Sequence, residues 1–422
     1  MPALRVAFLI PVFPEIHNTF IINQITGLLD RGVDLHLYPL AVGSYEEAHA
    51  EVAQYRLRER DKHLRVPGPH LERLRGAARR LLEPRSWNPG VIDAINPLRG
   101  RDTWSLLPAY TALSFAANRD YDILHAQFGH LAPLAERLIA KGGVRASLVA
   151  SFRGADTTSH LPRNPEAYRR VFEHGSLFLP VSEDLRARLL AAGSPEKRTL
   201  VHRSGVDLRR FEFATRSRGA DEPTEVLFVG RFVEKKGIRD ALAAVAGALG
   251  QLPALPSGEP AMRLTLIGSG PLEEELRRLA GEFGVSDSVS FAGTRDADGV
   301  AEVMRASHLL LAPSVTAASG DKEGVPNVIK EAMASGMPVL ATLHGGIPEL
   351  VDDGVSGFLV PEHDVEGLTR RLVTLVGSPE SWEALGRAGR AKVEAEFDSE
   401  SLNDLLLERY REVIARGRPA GG

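Results

Sequence analysis

Two consecutive series of short apolar runs, each run followed by a segment of helical period, constrain this chain more than any other feature. The first series occupies residues 6–10, 35–39, 123–125, 148–152 and 177–180, with a helical pattern at 20–29 between the first two. The second begins after Asp207 and occupies 226–230, 263–267, 289–291, 309–313, 339–342 and 358–360. Short apolar runs alternating with helices describe parallel α/β sheets whose strands are buried on both faces. At 422 residues the chain exceeds one ordinary domain. The stretch 208–223 is polar, contains glycine and lacks a clear period, so it is the expected linker. The expected domains are residues 1–207, joined by a final crossover helix at 400–416, and residues 208–399. Two similar α/β domains on one linker suggest a cleft, and ligands of such sheets bind at the carboxyl ends of strands.

Composition narrows the function classes. The chain is 43% hydrophobic and 25% charged, as in soluble globular proteins. Its net charge of -4 gives no general case for nucleic acid. The absence of cysteine excludes disulfides and thiol catalysis. No apolar run reaches the roughly 18–20 residues of a membrane span. The opening MPALRVAFLIPVFPE reads as a strand entering a Pro-rich turn, not as a signal peptide, so a cytoplasmic location is expected. One stretch departs from neutrality: residues 56–85 hold ten Lys or Arg against four Asp or Glu. Leu71, Leu74, Ala78, Leu81 and Leu82 form an apolar stripe beside five arginines. Such a helix can lie on an anionic membrane surface, giving peripheral contact at the inner face, or pack on the domain as a solvated helix.

The segment 312–351 carries the most chemistry. Glu323 and Glu331 are separated by seven residues, with Gly324, Pro326 and the start of an apolar-periodic helix between them. Proline suits a first helical turn. Val328, Ile329, Ala332 and Met333 recur at helical spacing and predict a buried face. The free N–H groups of a helix start attract phosphate, while ionised carboxylates accept hydrogen bonds from hydroxyls. An anionic, hydroxyl-rich ligand such as a nucleotide sugar meets both conditions. Earlier in the same half, Gly230-Arg231-Phe232-Val233-Glu234-Lys235-Lys236-Gly237 follows a strand and opens a helix. Arg231 and Lys236 there suit a diphosphate and would stabilise its growing charge as it leaves. Ile267-Gly268-Ser269-Gly270-Pro271 is a truncated Gly-rich turn, weak evidence alone. Phe291-Ala292-Gly293-Thr294 is a strand-end turn that suits a nucleobase edge or plain packing equally well.

Taken in order, GRFVEKKG, IGSGP, FAGT, EGVPNVIKEAMASGMPVLAT and GGIPELV resemble the nucleotide-binding domain of retaining glycosyltransferase family 4. The resemblance implies a GT-B fold, two Rossmann-like domains facing each other across a cleft. It implies that Arg231 and Lys236 hold the donor diphosphate, Glu323 the sugar hydroxyls and Glu331 the ribose. Gly268, Gly270, Thr294, Gly324, Val325, Asn327 and Val328 complete the expected donor site. Pro326 stands where many relatives have glycine and has no N–H to offer.

In the first half, Phe13 to Ile25 and His125-Ala126-Gln127-Phe128-Gly129-His130 are similar to the exopolysaccharide-assembly subgroup, including the colanic-acid type. Asn18 stands in place of its usual glutamate. Phe13, Asn18, Thr19 and His130 are the expected acceptor contacts. His125 and Arg153 are further catalytic candidates. Arg153 occupies the position of a histidine that, in relatives, lies near the transferred sugar. Arginine does not lose its proton in proteins and cannot be a base, which leaves it a hydrogen bond or charge contact.

The resemblance implies a retaining transfer with no dedicated protein nucleophile. The donor's leaving phosphate would help deprotonate the acceptor hydroxyl. Arg231 and Lys236 can substitute for a cation at the diphosphate, so no essential metal or other cofactor is expected. The leading expectation is hexose transfer from a nucleotide sugar to a saccharide or lipid-linked acceptor. Glycosylation of a small natural product such as an aminocyclitol, and a non-catalytic sugar-nucleotide binder, are the alternatives. A Rossmann dehydrogenase would need a complete G-x-G-x-x-G after the first strand, and the sequence has none there.

Overall fold

The computed structural model describes residues 3–15, 19–46, 48–62, 72, 75–76, 107–116, 118–141 and 143–417, without the side chains of 107–109. Most of the basic stretch 56–85 lies outside these residues, as does Asn18. All eleven apolar runs form strands. In the first series they are β1 (Arg5–Phe13), β2 (Asp34–Val42), β3 (Asp120–Ala126), β4 (Arg145–Phe152) and β5 (Leu177–Pro180). In the second they are β6 (Thr224–Val229), β7 (Met262–Ile267), β8 (Val289–Phe291), β9 (Leu309–Ala312), β10 (Val339–Thr342) and β11 (Gly357–Val360).

The strands make two sheets, ordered β2-β1-β3-β4-β5 and β11-β10-β9-β6-β7-β8, with every pairing parallel. Both are Rossmann-like, the pair expected of a GT-B glycosyltransferase. The chain divides into two compact units. The first takes Met1–Val181, Leu185–His202 and Asn403–Gly422; the second takes Ser182–Asp184 and Arg203–Leu402.

Each sheet is covered on both faces, and alternate residues of one strand serve different cores. Val6, Phe8 and Ile10 of β1 pack in one cluster with Leu406, Leu407, Tyr410 and Val413 of the last helix, Ser399–Arg416. Ala7 and Leu9 pack on the opposite face with Phe115, Phe152 and Tyr168. In the second unit Val226 and Phe228 face one core, and Leu227 faces the other. On the last helix Leu406, Leu407, Tyr410 and Val413 are buried, while Leu402 and Leu405 are half-buried. Each fully buried side chain of this size stabilises by about 1.5–3 kcal/mol relative to exposure.

The polar stretch 208–223 is fastened to the second unit. Phe211 and Arg216 are buried, and Arg216 donates to the carbonyls of Arg305 (3.0 Å) and Ser335 (2.8 Å).

Strand order fixes where ligands can enter. In the first sheet the chain moves from β1 out to β2, then returns to place β3 on the other side of β1. In the second it moves from β6 to β7 and β8, then returns to place β9 beside β6. The crevices outside the carboxyl ends of β1/β3 and β6/β9 are therefore the topological switch points, where open α/β sheets bind ligands.

Candidate functional site

At the β6/β9 switch point two strand-end loops bring opposite charges together. After β6 the chain turns through Gly230 to Lys236 and reaches Gly237, whose φ of 64° lies in the left-handed region. A side chain at Gly237 would overlap the Pro313 carbonyl, so glycine is required for the two loops to meet. After β9 the chain carries Asp321 and Glu323. Lys235 Nζ lies 3.1 Å from Asp321 Oδ2 and 3.3 Å from Glu323 Oε1, and Lys236 Nζ lies 3.3 Å from Glu323 Oε2. Burial would raise the Glu323 carboxyl, but Lys236 and Lys235 overcome it and bring it to about 2. Burial would lower Lys235, and Glu323 and Asp321 instead leave it raised. Arg231, in the same loop after β6, is exposed.

The Glu323 backbone is fixed by a second chain of bonds that the sequence reading missed. Its N–H donates to His344 Nε2 (3.0 Å), and His344 Nδ1 meets Glu362 Oε1 at 2.7 Å. Glu362 also accepts from the Thr316 N–H (2.6 Å) and hydroxyl (3.1 Å). Because Nε2 accepts, Nδ1 carries the proton and donates to Glu362, so the tautomer follows from the partners. His344 comes two residues after β10 and Glu362 two residues after β11, so strand-end position was the available signal. The Gly345-Gly346 turn closes on the same segment: Gly346 N–H donates to the Gly324 carbonyl (2.8 Å), and a side chain at Gly345 would overlap the Glu323 carbonyl.

Beyond Glu323 the helix Asn327–Ala334 starts at Pro326, which stands at the N-cap in extended conformation with no side-chain cap bond. Its first N–H groups are thus open to a ligand. Gly324 is buried; Val325 and Asn327 are half-buried. The predicted buried face needs one correction. Val328 is only half-buried, and Lys330 is fully buried in its place. Lys330 can enter because its Nζ donates to the Ser204 carbonyl (2.6 Å) and hydroxyl (2.8 Å). Glu331 is half-buried, and its carboxylate makes no hydrogen bond among the described residues. Burial lifts it to about 7, against Lys330, Arg210 and Lys236.

Gly268 and Gly270 are explained by packing. A side chain at Gly268 (φ 140°) would overlap the Gly230 carbonyl, and one at Gly270 would strike the Phe232 backbone. They let the β7 loop lie against the β6 loop. Thr294 is exposed, its hydroxyl donating to Ser269 Oγ at 3.2 Å.

Two first-unit expectations need correction. His125 is fully buried, with Nδ1 2.6 Å from the Tyr410 hydroxyl and Nε2 2.8 Å from Ser151 Oγ. Both nitrogens are engaged inside the core and neither can touch a substrate. Phe13 is 2% exposed and packs edge-on to Tyr45, so it serves the core and not an acceptor. Thr19 is half-buried at the start of the helix Thr19–Asp30. His130 is half-buried, and burial lowers its pKa, with Asp156 opposing and His160 adding to the shift. Arg153 follows β4 and is partly exposed. Its Nε donates to the Gln127 carbonyl (2.9 Å) and its Nη2 to Gln127 Oε1 (2.8 Å).

The comparisons agree on one family. The sequence profile of the glycosyl transferases group 1 matches residues 223–378. WcaL of Escherichia coli strain K12, assigned as a colanic acid biosynthesis glycosyltransferase, is 33% identical over 407 residues, 95% of this chain and 98% of that protein. The chain is a group 1 glycosyltransferase. The amylovoran biosynthesis glycosyltransferase AmsK of Erwinia amylovora is similar to it at 31% identity over 414 residues, 96% of this chain and 98% of that one. Anabaena Alr3699/HepE, solved with UDP and glucose, matches at a TM-score of 0.72 and 19% identity, covering 97% of this chain and 100% of that one; the two share a fold. The family match of the glycosyltransferase spans β6 to the helix Val365–Gly377, and so contains the whole lysine–glutamate cluster.

Proposed function

We propose that this glycosyltransferase moves a hexose, with retention of anomeric configuration, from a nucleoside-diphosphate sugar to a saccharide or lipid-linked acceptor in polysaccharide or glycolipid assembly. The observation that carries this reading is the pairing of Lys235 and Lys236 with Glu323 at the β6/β9 switch point, with Arg231 exposed in the same loop after β6 and an uncapped helix start beyond Glu323. Arg231 and Lys236 would hold the diphosphate and stabilise its charge as the bond to the sugar breaks. Glu323, ionised at neutral pH, would accept hydrogen bonds from sugar hydroxyls. Glu331, whose carboxylate has no hydrogen-bond partner among the described residues, would accept them from the ribose. The N–H groups of Val325, Asn327 and Val328 would meet phosphate. Gly268, Gly270 and Thr294 would line the donor through their loops. The leaving phosphate would take the acceptor proton, and the protein's contribution is placement and charge stabilisation.

We assign the acceptor to the first unit, with Thr19, His130 and Arg153 as its contacts. The similarity to WcaL and AmsK, named for colanic acid and amylovoran, supports a polysaccharide product. HepE, which holds UDP and glucose, supports a nucleotide-sugar donor and leaves the base of this chain's donor open. No described helix is long and apolar enough to cross a membrane. Work at the inner membrane face through residues 56–85 is part of the same proposal.

The test is release of nucleoside diphosphate from a panel of UDP-, GDP- and ADP-sugars, with and without candidate acceptors. Acceptor-dependent release with an α-linked product from an α-linked donor is the expected result, and it should survive EDTA. Binding without release under every acceptor condition would favour a non-catalytic binder. Inversion at the anomeric carbon would overturn the retaining assignment.

A further inference from the structure

The first unit holds a cation, Arg153, that no described carboxylate meets in an ion pair; Asp156 acts on it only through space. Arg153 leaves β4 at the carboxyl end of the sheet, and Phe128 leaves β3 beside it. The guanidinium carbon stands 4.3 Å from the centre of the Phe20 ring and 5.8 Å from that of Phe128. The two bonds to Gln127 use Nε and one hydrogen of Nη2 and fix the plane of the group. Its Nη1 meets no acceptor among the described residues, and no described carboxylate forms an ion pair with it. Asp156, three residues on, is turned elsewhere: its oxygens accept from the backbone N–H groups of Gly129 (2.8 Å), Arg153 (3.0 Å) and Gly154 (2.9 Å).

Burial draws the Arg153 guanidinium down to about 10, so it stays charged at neutral pH. A charge taken from water without a counter-charge is costly unless a ligand completes it. Aromatic faces recover part of that cost. The free edge is planar and matches the oxygen pair of a carboxylate or phosphate. His130, whose ring lies 5.8 Å from that of Phe128, borders the group. All four side chains lie around the β1/β3 switch point, where the fold admits a ligand.

We propose that the free edge of Arg153, bordered by Phe20, Phe128 and His130, binds an anionic group of the acceptor, a carboxylate or a phosphate. The acceptor is then an acidic saccharide or a phosphorylated one. This rests on the assignment of the acceptor to the first unit.

The experiment compares neutral and anionic partners on the full chain by calorimetry or ligand-observed NMR. One pair is methyl β-D-glucoside and methyl β-D-glucuronide; the other is glucose and glucose 1-phosphate. At least one anionic probe should bind tenfold or more tightly than its neutral counterpart, with a preference that weakens as salt rises. In Arg153→Gln the preference should fall below twofold, and in Arg153→Lys, which keeps the charge and loses the fork, it should be intermediate. A glucuronide preference identifies a carboxylate, and a glucose 1-phosphate preference identifies a phosphate. Equal binding within both pairs, no binding of either anion, or a preference that survives in folded Arg153→Gln would overturn the proposal. The native-chain comparison stands even if a variant fails to fold. Nucleoside diphosphate binding is measured on the same sample; its absence would sink the donor reading, not this one.

Discussion

The two switch points share a topology and differ in electrostatics. At β6/β9 the charges already answer one another: two lysines close on Glu323, and Lys235 reaches Asp321 as well. At β1/β3 the Arg153 guanidinium lies on aromatic faces and, among the described residues, bonds to an amide side chain and a carbonyl. A site for a departing diphosphate needs cations that are in place before the charge develops, and a carboxylate between them supplies that order. A site that reads a fixed anion needs one rigid fork with a free edge. The contrast extends inside the segment after β9. Glu323 is held ionised by its lysines, and Glu331, one helix turn into Asn327–Ala334, is pushed the opposite way by burial.

The largest effect should come from the cations at β6/β9. Arg231→Ala and Lys236→Ala should each lower turnover about 10²–10³-fold, the cost of removing one donor to developing charge, with a smaller loss of nucleoside diphosphate affinity. Near-native turnover in both would break the comparison, because the diphosphate would then lie elsewhere.

The paired glutamates should separate in the pH dependence of stability. The folded pKa of Glu331 is raised, so its protonated form favours folding; that contribution is complete below about 4.5 and is lost as pH rises through about 7. Glu323 is depressed, so its contribution is present above about 4.5 and is lost as pH falls toward 2. At pH 8, Glu331→Gln should therefore stabilise the ligand-free protein and Glu323→Gln should destabilise it, each on the order of 1–3 kcal/mol. At pH 5 the Glu331→Gln gain should be largely gone. Denaturant melts at the two pH values read both signs, and shifts of the same sign in the two variants would refute the assignment.

The smallest effect sharpens the role of His344. Removing the acceptor of the Glu323 N–H should cost about 0.5–1.5 kcal/mol, or roughly two- to thirteenfold in kcat/KM, for His344→Ala. Gln at 344 can place an oxygen near Nε2 and should recover most of it. A glutamine variant no better than alanine would mean that His344 serves packing alone.

The strands were legible because buried parallel strands are apolar throughout, and none of the eleven was misplaced by more than its ends. Glu323, Glu331, Arg231 and Lys236 were legible because they sit at strand ends or at a helix start. What escaped was whatever depends on contacts distant in sequence. Lys235 reads as a solvated neighbour of Lys236 until β9 brings Asp321 and Glu323 to it. His344 and Glu362 are polar residues after strands until they close on Glu323. His125 and Phe13 look available in sequence because both stand at strand ends; Tyr410, far along the chain, is what seals His125 into the core. Lys330 is charged and sits in an amphipathic pattern, so only the Ser204 bonds explain its burial.

The central claim is that the β6/β9 switch point binds a nucleoside diphosphate and that Glu331 reads its ribose. Calorimetric titration of the native chain and of Glu331→Ala with UDP, GDP and ADP tests it most directly. One of the three should bind the native chain with saturable heat. Affinity should rise from pH 6 to pH 8 as Glu331 ionises, and proton release should be seen at pH 7. In folded Glu331→Ala the affinity should fall about tenfold or more and lose that pH dependence. Failure of all three nucleotides to bind, or an unchanged affinity in the variant, would contradict it.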